Sequence, residues 1–311
     1  MGQMSELRGL LERVEARKAT PGSVEVQVRD AARDLSRHLG VGGPPTDLKA
    51  FLSARSILQT QKVAMKEDGV LYALDANRLA VDLKGSNSEA RDRFTCAHEI
   101  GHTFFIDRDS EHWFRSLRIA DGEVERPAES NAFEERFCNI FAGELLLPTD
   151  YLRPKLFRSN ISWRSIFEIR DETRNSLTAC AVRSVQSSLS RALLISWQTL
   201  NCDIRGADFR VNWQMASSAV KSKVEVAAPL ERSQLLFKVL TAQTRESIIV
   251  GQLELPLRTG GSSNYYSESI CVDKKAGTVL TLCVLEPHAE VYGSLAPRWS
   301  RGNRGQLELF S

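Results

Sequence analysis

The sequence predicts an α+β protein of two domains, and three observations support that class. Apolar residues recur at helical spacing through most of the first 40 residues, and three strand-like runs follow between residues 56 and 83. From about residue 190 the pattern changes to repeated strands with one helical segment among them. A chain of 311 residues is long enough for about two domains.

Composition narrows the class of protein. There are 41 Lys and Arg residues against 39 Asp and Glu, so overall charge does not indicate a nucleic-acid binder. No apolar run approaches the roughly 20 residues that span a bilayer, and residues 1–18 are typical of an amphipathic charged helix rather than a signal sequence. The six cysteines form no C-x-x-C pair, so we expect small buried thiols instead of a disulfide framework. These features predict a cytoplasmic protein.

The first domain opens with helices and then changes to strands. A second helix follows Thr20-Pro21 and ends before Gly40, and a short helix is predicted around residues 48–52. Turn residues separate the next three runs, which we expect to form a small antiparallel meander: SILQTQKVAM, GVLYAL and NRLAVDL.

Helices fill the centre of the chain. Ser86 and Glu89 form a capping-box pattern that predicts a helix over about 88–105. Pro127 is placed to open the next helical region, whose helix Ala132–Leu147 is stopped by Pro148.

Two short helices are predicted to fill residues 150–187, the second with Ser176 as its N-cap. The strands of the second domain then follow: ALLISWQTL, FRVNW, KVEV, SIIVGQLEL, ESICV and TVLTLCVL. The helical segment LERSQLLFKVL lies among them.

The stretch FTCAHEIGHTFF contains an H-E-x-x-H motif. On a helix, His98 and His102 lie on one face and can bind one metal ion, while Glu99 lies about 100° further round. This is the pattern of zinc peptidases in which the glutamate takes a proton from the water bound to zinc. The motif also occurs by accident, and a histidine on an apolar helix is often only a core residue. Gly101 favours the functional interpretation, because a glycine inside a helix indicates that another group approaches the helix backbone closely.

A catalytic zinc site needs a third protein ligand. Phe105 and Arg108 stand where the metzincin extension would need glycine and histidine, so that branch is excluded. The remaining candidates are one histidine in a polar loop and three glutamates on or before the next helix: His112, Glu129, Glu134 and Glu135. Both Glu134 and Glu135 border the apolar face of that helix, so periodicity does not choose between them, although Glu135 lies beside the small residues Cys138 and Ala142.

Two long motifs resemble the ImmA/IrrE metallopeptidases. RFTCAHEIGHTFF is similar to the family pattern R-F-T-x-A-H-E-x-G-H, and EERFCNIFAGELLLP is similar to E-x-x-A-N-x-F-A-x-E-L-L-x-P. On this resemblance Glu135 takes the position of the glutamate ligand, and Cys138 stands where alanine is usual. The later SLTACAVRSV resembles the helix that ends the catalytic core, so the resemblance covers about residues 20–187.

The resemblance implies a zincin-like metallopeptidase domain over 1–150, a helix-turn-helix-like segment over 151–188 and a GAF-like sensor domain over 189–311. It also implies Zn²⁺ as cofactor and a helix-turn-helix (XRE-type) repressor as substrate. Cleavage of such a repressor releases a stress, DNA-damage or antiphage-defence operon. The CapP type, which responds to single-stranded DNA, combines the same parts.

Other candidate residues carry weaker signals. Asn139 lies one turn after Glu135 and could orient that ligand or the substrate backbone. Cys96 and Cys138 are closest to the motif among the cysteines, and we expect them to pack rather than to inhibit the site as thiolates. Basic and aromatic residues of the second domain could hold single-stranded DNA, although an ordinary solvated surface explains them as well: Arg205, Arg210, Trp213, Arg298, Trp299, Arg301 and Arg304.

Two functions of different classes follow from these residues. One is a site-specific zinc endopeptidase with a sensor domain. The other is a non-proteolytic regulator that binds DNA or a protein partner, with a structural metal or none. An intact Glu99 favours the peptidase, because a purely structural metal site has no need of a general base.

Overall fold

The computed structural model describes residues 20–106, 132–159, 161–203, 206–220, 226, 229–231, 233–244, 246–256 and 262–286. The elements of the first part of the chain are α1 (Pro21–His38), α2 (Lys49–Ala54), β1 (Ile57–Val63), β2 (Gly69–Ala73), β3 (Leu79–Lys84), α3 (Glu89–His102) and α4 (Ala132–Leu146). They are followed by α5 (Thr149–Ser159), α6 (Trp163–Thr173), α7 (Leu177–Ser187), β4 (Arg191–Asp203), β5 (Gly206–Ala216), α8 (Gln234–Thr241), β6 (Ile249–Pro256), β7 (Ser262–Asp273) and β8 (Thr278–Glu286).

The described residues divide into two compact units. The first contains the described residues up to Tyr151 together with Ile169–Cys180, and the second contains Leu152–Glu168 and the described residues from Ala181 onward.

Helix α1 begins and ends where the sequence predicts. The Thr20 side chain accepts a hydrogen bond from the backbone N–H of Ser23, and Pro21 lies in the first turn, where its missing N–H is not needed. Gly40 has a φ of 69°, a conformation that favours glycine and ends the helical run. Apolar side chains at helical spacing form the buried face of α1: Val24, Val28, Ala32 and Leu35.

The three N-terminal strands form a mixed sheet in the order β1-β3-β2, so the predicted antiparallel meander is wrong. Strand β3 pairs with β2 in antiparallel fashion but with β1 in parallel. Residues 58–62 of β1 are exposed, whereas β2 and most of β3 are buried. Strand β3 takes the centre of the sheet and the polar β1 lies at an edge, which sequential hairpin signals do not reveal.

Helix α3 carries the histidine motif and has a different cap from the one predicted. The side chain of Ser88, not Ser86, accepts from the backbone N–H of Arg91 at 3.3 Å. Because α3 begins at Glu89, Ser88 is the residue with extended backbone immediately before the first turn. The helix ends at His102, before the predicted end at 105.

A buried arginine closes the C-terminal end of α3. Arg55 donates from Nε to the Thr103 hydroxyl at 2.7 Å and from NH2 to the Thr103 carbonyl at 2.8 Å. Its guanidinium also lies 4.0 Å from the ring centre of Phe104. A cation at a helix C-terminus satisfies free carbonyl groups and opposes the helix dipole, so Arg55 fixes the end of the helix that bears His102.

Gly101 lies where α3 and α4 cross. A Cβ added at Gly101 would lie 3.2 Å from the Cα of Cys138 and 3.4 Å from the Phe141 ring. The backbone approach predicted from this glycine is therefore present, and the neighbour is helix α4.

Glu144 joins three segments of the first unit. Its carboxylate accepts from the Thr149 backbone N–H at 2.9 Å and from the Thr149 hydroxyl at 2.8 Å, at the start of α5. Arg33 of α1 donates to the same carboxylate at 3.0 Å. Glu144 is only 1% exposed, so this buried charge links α4 to α1 and to Thr149.

Residues 149–187 form three helices, so the prediction of two is wrong. The additional start is at Ser162, whose side chain accepts from the Ser165 backbone N–H at 3.2 Å while Ser165 Oγ accepts from the Ser162 N–H at 3.0 Å. This reciprocal pair begins α6 at Trp163. The predicted cap of α7 is confirmed, because Ser176 Oγ accepts from the Ala179 N–H at 3.2 Å.

The second unit is built on a five-stranded antiparallel sheet in the order β5-β4-β8-β7-β6, with α8 packed on one face. The strand predictions are confirmed except for KVEV, most of which lies outside the described residues. Trp163 ties the start of α6 to β7, since its backbone N–H donates to the Glu268 carboxylate and its indole N–H to the Glu268 carbonyl, both at 2.8 Å.

Two expectations concern the chain as a whole. The cysteines whose side chains are described are free and buried, as predicted for packing residues: Cys96, Cys138, Cys180, Cys271 and Cys283. Within the described ranges, no helix has both the length and the apolar character needed to cross a membrane.

Candidate metal centre

Three side chains from two helices converge beside the crossing of α3 and α4. The Nε2 atoms of His98 and His102 lie 3.0 Å apart. Glu135 Oε2 lies 3.2 Å from His98 Nε2, and Glu135 Oε1 lies 3.6 Å from His102 Nε2. All three side chains are partly exposed, so the space between them can be reached from solvent.

The sequence accounts for this convergence. His98 and His102 are one turn apart on α3, so both imidazoles leave the same side of the helix. Glu135 lies in the first turn of α4, and the close approach at Gly101 brings that turn opposite the two rings.

The outer nitrogen of each imidazole also has a partner. His98 Nδ1 lies 3.1 Å from Asn139 Oδ1, and His102 Nδ1 lies 2.8 Å from Glu134 Oε1. The consecutive residues Glu134 and Glu135 therefore reach opposite nitrogens of the same His102 ring.

Neighbouring groups favour the protonated form of His102. Burial alone lowers the pKa of the imidazole, but the Cys138 sulfur as a hydrogen-bond acceptor and the carboxylates of Glu134 and Glu99 raise the pKa well above its ordinary value of 6.5. Burial raises the pKa of the Cys138 thiol to about 11 and that of Cys96 to about 12, so both thiols are neutral at pH 7. A neutral buried thiol supports the interpretation of these cysteines as packing residues.

Glu99 lies on a different side of α3 from the converging set. It is 6% exposed, and a Cβ added at Gly69 of strand β2 would lie 3.3 Å from Glu99 Oε1 and in contact with Thr95. The glycine thus leaves room for the Glu99 carboxylate beside the sheet. Glu99 is not among the three converging side chains, but its charge acts on His102.

The structure brings together most of the sequence-predicted site residues. Glu134 and Glu135, which periodicity could not separate, both reach His102 but through different nitrogens. The other two candidates for the third ligand, Glu129 and His112, lie outside the described residues. Of the candidate DNA contacts, Arg210 and Trp213 are on β5, and the others also lie outside the described part.

Sequence reasoning missed the contact between Glu134 and His102. The sequence signal that could have revealed this contact is the pair of consecutive carboxylates. Neighbouring helix residues point about 100° apart and cannot face the same atom, so two such carboxylates must reach different atoms. A second set that could hold a metal consists of His102, Glu134 and Cys138. Its thiol is buried and neutral, whereas the set His98, His102 and Glu135 is accessible.

The donor chemistry of the accessible set fits zinc. Two imidazoles and one carboxylate are a usual ligand set of catalytic zinc, with a fourth position left for water. Zinc–ligand bonds of about 2.0–2.2 Å in a tetrahedron place donor atoms roughly 3.3–3.6 Å apart. The observed donor separations of 3.0, 3.2 and 3.6 Å lie close to that range.

A helix-borne histidine pair faced by a glutamate from a second helix, beside a small mixed sheet, defines a metallopeptidase-type domain. The sequence profile of the IrrE N-terminal-like domain matches residues 57–184. Residues 57–184 are therefore assigned to the IrrE N-terminal-like family of metallopeptidase domains.

Two known proteins are similar to this chain. The radiation response metalloprotease IrrE of Deinococcus deserti is 24% identical over 218 residues, which covers 68% of this chain and 74% of that protein. The structure of a Mycobacterium tuberculosis transcriptional regulator superposes with a TM-score of 0.51 and 12% identity, covering 90% of this chain and 94% of the other. At that identity the second likeness concerns the fold alone.

Proposed function

We propose that this protein is a zinc-dependent endopeptidase in which His98, His102 and Glu135 hold the metal and Glu99 is the general base. The observation that supports this most directly is the convergence of two Nε2 atoms and one carboxylate within 3.6 Å of one another. The family match over residues 57–184 gives independent support for peptidase chemistry.

The roles follow from the chemistry of the side chains. A zinc ion in this set would lower the pKa of a water molecule to about 7 and polarise the scissile carbonyl. Glu99 removes the proton from the attacking water and delivers it to the nitrogen of the leaving amine. Glu135 contributes one negative charge among the three donors, which strengthens cation binding relative to an all-imidazole set.

The proposed substrate is a helix-turn-helix (XRE-type) repressor in the cytoplasm, and its cleavage derepresses a stress, DNA-damage or antiphage-defence operon. The resemblance of the two long motifs to ImmA/IrrE peptidases supports this substrate class. The name of the Deinococcus relative, a radiation response metalloprotease, is consistent with a damage-linked role.

Residues 189–311 are proposed to be a GAF-like sensor, preceded by the helix-turn-helix-like helices α5 to α7. A single antiparallel sheet covered by a helix is compatible with that role. Single-stranded DNA, the signal of the CapP type, is the proposed activator.

The test is a cleavage assay with the helix-turn-helix protein encoded beside this chain, with zinc and with or without single-stranded DNA. We expect wild type to cut at one site. We expect Glu99→Gln to retain zinc but to lose cleavage by at least about 100-fold, because general-base catalysis is removed. Bound zinc is measured by metal analysis of the purified variants.

The matched control is Glu89→Gln, an exposed glutamate in the first turn of the same helix, which should cleave like wild type. Wild-type protein that binds zinc but cuts neither this protein nor other repressors, with or without DNA, would contradict the proposal. That result would favour a regulator that binds without proteolysis.

A further inference from the structure

The inner nitrogens of His98 and His102 face the proposed metal position, whereas the outer nitrogens face two residues of α4 that are not ligands. We propose that Glu134 and Asn139 are positioning residues that fix these imidazoles for metal binding. This inference rests on the proposed metal site and adds to it the groups that prepare the ligands.

The argument begins with the tautomer of His102. A neutral imidazole has one N–H donor and one nitrogen with a free lone pair. An ionised carboxylate only accepts, so Glu134 Oε1 at 2.8 Å requires the proton of a neutral His102 on Nδ1. The lone pair is then on Nε2, the atom that faces His98 and Glu135.

Without Glu134, the other carboxylate would compete for that proton. Glu135 Oε1 lies 3.6 Å from His102 Nε2 and can attract an Nε2–H, which leaves no lone pair for the metal. The 2.8 Å contact with Glu134 is shorter, so it favours the binding tautomer. Glu134 also restricts rotation of the ring.

His98 has a weaker partner. Asn139 Oδ1 at 3.1 Å is neutral, while Glu135 Oε2 lies at the similar distance of 3.2 Å from the opposite nitrogen. A neutral acceptor holds the proton on Nδ1 less strongly than a carboxylate does. The two histidines are therefore unequally prepared, and Glu134 should contribute more to metal affinity than Asn139.

The alternative role for Glu134 is that of a ligand, in the set with His102 and Cys138. That set requires a thiolate from a side chain whose residue is 0% exposed. Cobalt substitution separates the two roles, because a thiolate ligand adds a sulfur-to-cobalt charge-transfer band in the near ultraviolet.

The experiment measures the zinc dissociation constant of the full-length protein by competition with a chromophoric chelator. It is done at a pH high enough that the zinc affinity no longer changes with pH, so that competition with protons does not contribute. Glu134→Gln keeps the size of the side chain and removes its charge, and we expect zinc binding to weaken by about 10- to 100-fold. Asn139→Ala should weaken binding less. Asn139→Asp should tighten zinc binding, because a carboxylate holds the Nδ1 proton more strongly than an amide does. Loss of a structural contact could not produce tighter binding. Glu89→Gln, which removes a carboxylate at the opposite end of α3, should bind like wild type.

The thermal midpoint of the metal-free protein shows whether Glu134→Gln still folds, and we expect only a small decrease because the 2.8 Å contact with His102 is lost. Equal zinc affinity of Glu134→Gln and wild type would overturn this inference alone. A sulfur-to-cobalt band that Cys138→Ala abolishes would also overturn it. The ligand variant Glu135→Gln should lose zinc binding. Wild type that binds zinc no better than this variant would overturn both this inference and the proposed function.

Discussion

His102 is the residue at which metal and proton compete. A metal ligand must present an unprotonated nitrogen, yet the charges around His102 raise its pKa well above 6.5 in the metal-free protein. Part of the free energy of metal binding is therefore spent in displacing a proton, and more of it as the pH falls.

We expect zinc affinity to rise with pH through the neutral range. Below the raised pKa of His102, each unit of pH should change the dissociation constant by about tenfold if one proton is released. The dependence should level off once the pH exceeds that pKa. Calorimetry in two buffers of different ionisation enthalpy counts the released protons, and an affinity that is constant from pH 6 to pH 8 would contradict the expectation.

The sequence predicts part of this centre and leaves part undecided. The spacing of His98 and His102 places both rings on one side of any helix, so this pair needs no tertiary information. Glu134 and Glu135 are different, because their environments depend on how α4 is rotated against α3. That rotation is decided by packing at Gly101, which single-sequence periodicity does not describe.

At the junction of α1 and α4, the buried Glu144 carboxylate pairs with Arg29 and Arg33. Glu144→Gln should lower the free energy of unfolding by roughly 2–4 kcal/mol, because it leaves Arg33 and Thr149 without the charged acceptor. The partly exposed Arg33 keeps the cost below that of a fully buried pair. Urea unfolding of the metal-free protein measures it.

The matched control is Asp30→Asn, which removes the more exposed partner of the same arginine. Its cost should stay below about 1 kcal/mol, as for other surface ion pairs. Equal costs for the two variants would show that burial of the Glu144 carboxylate is not what stabilises this junction.

Helices were easier to predict than the order of strands. Caps such as Thr20 and Ser176 lie next to the residues that they bond, so local sequence is sufficient. The parallel pairing of β1 with β3 joins strands that are not neighbours in the sequence, and local turn signals do not report such a pairing. The break at Ser162 had a local signal, the S-x-x-S pattern, but serine is a weaker marker there than the Gly or Pro that usually separates helices.

At the scale of the whole molecule, all proposed ligands belong to the first unit. Ligand binding stabilises the structure that contains the site, by about 2.7 kcal/mol at a free concentration of 100 times the dissociation constant. Zinc removal should therefore speed amide exchange in α3 and α4 and leave β4 and β8 nearly unchanged. Mass spectrometry of exchange measures this, with His98→Ala as the variant that should show no zinc effect, and equal acceleration in all these elements would contradict it.

The change of periodicity near residue 190 correctly indicates a strand-rich C-terminal region. Contacts additionally group residues 152–168 with those strands, through bonds such as those between Trp163 and Glu268. Composition cannot reveal this grouping, because residues 152–168 are helical and resemble the helices before them.

The close approach at Gly101 also bears on which ion the protein selects. An alanine there would place its Cβ 3.2 Å from the Cα of Cys138, so α3 and α4 would separate by a few tenths of an ångström. Since the two histidines and Glu135 are on opposite helices, that separation would widen the space between the donors. We expect Gly101→Ala to shift preference from zinc toward the larger cadmium ion, measured as the ratio of the two affinities, whereas Gly22→Ala, with open space around it, should not. An unchanged ratio would contradict this. The hydrogen atom that Gly101 has in place of a methyl group would then determine which ionic radius the site prefers.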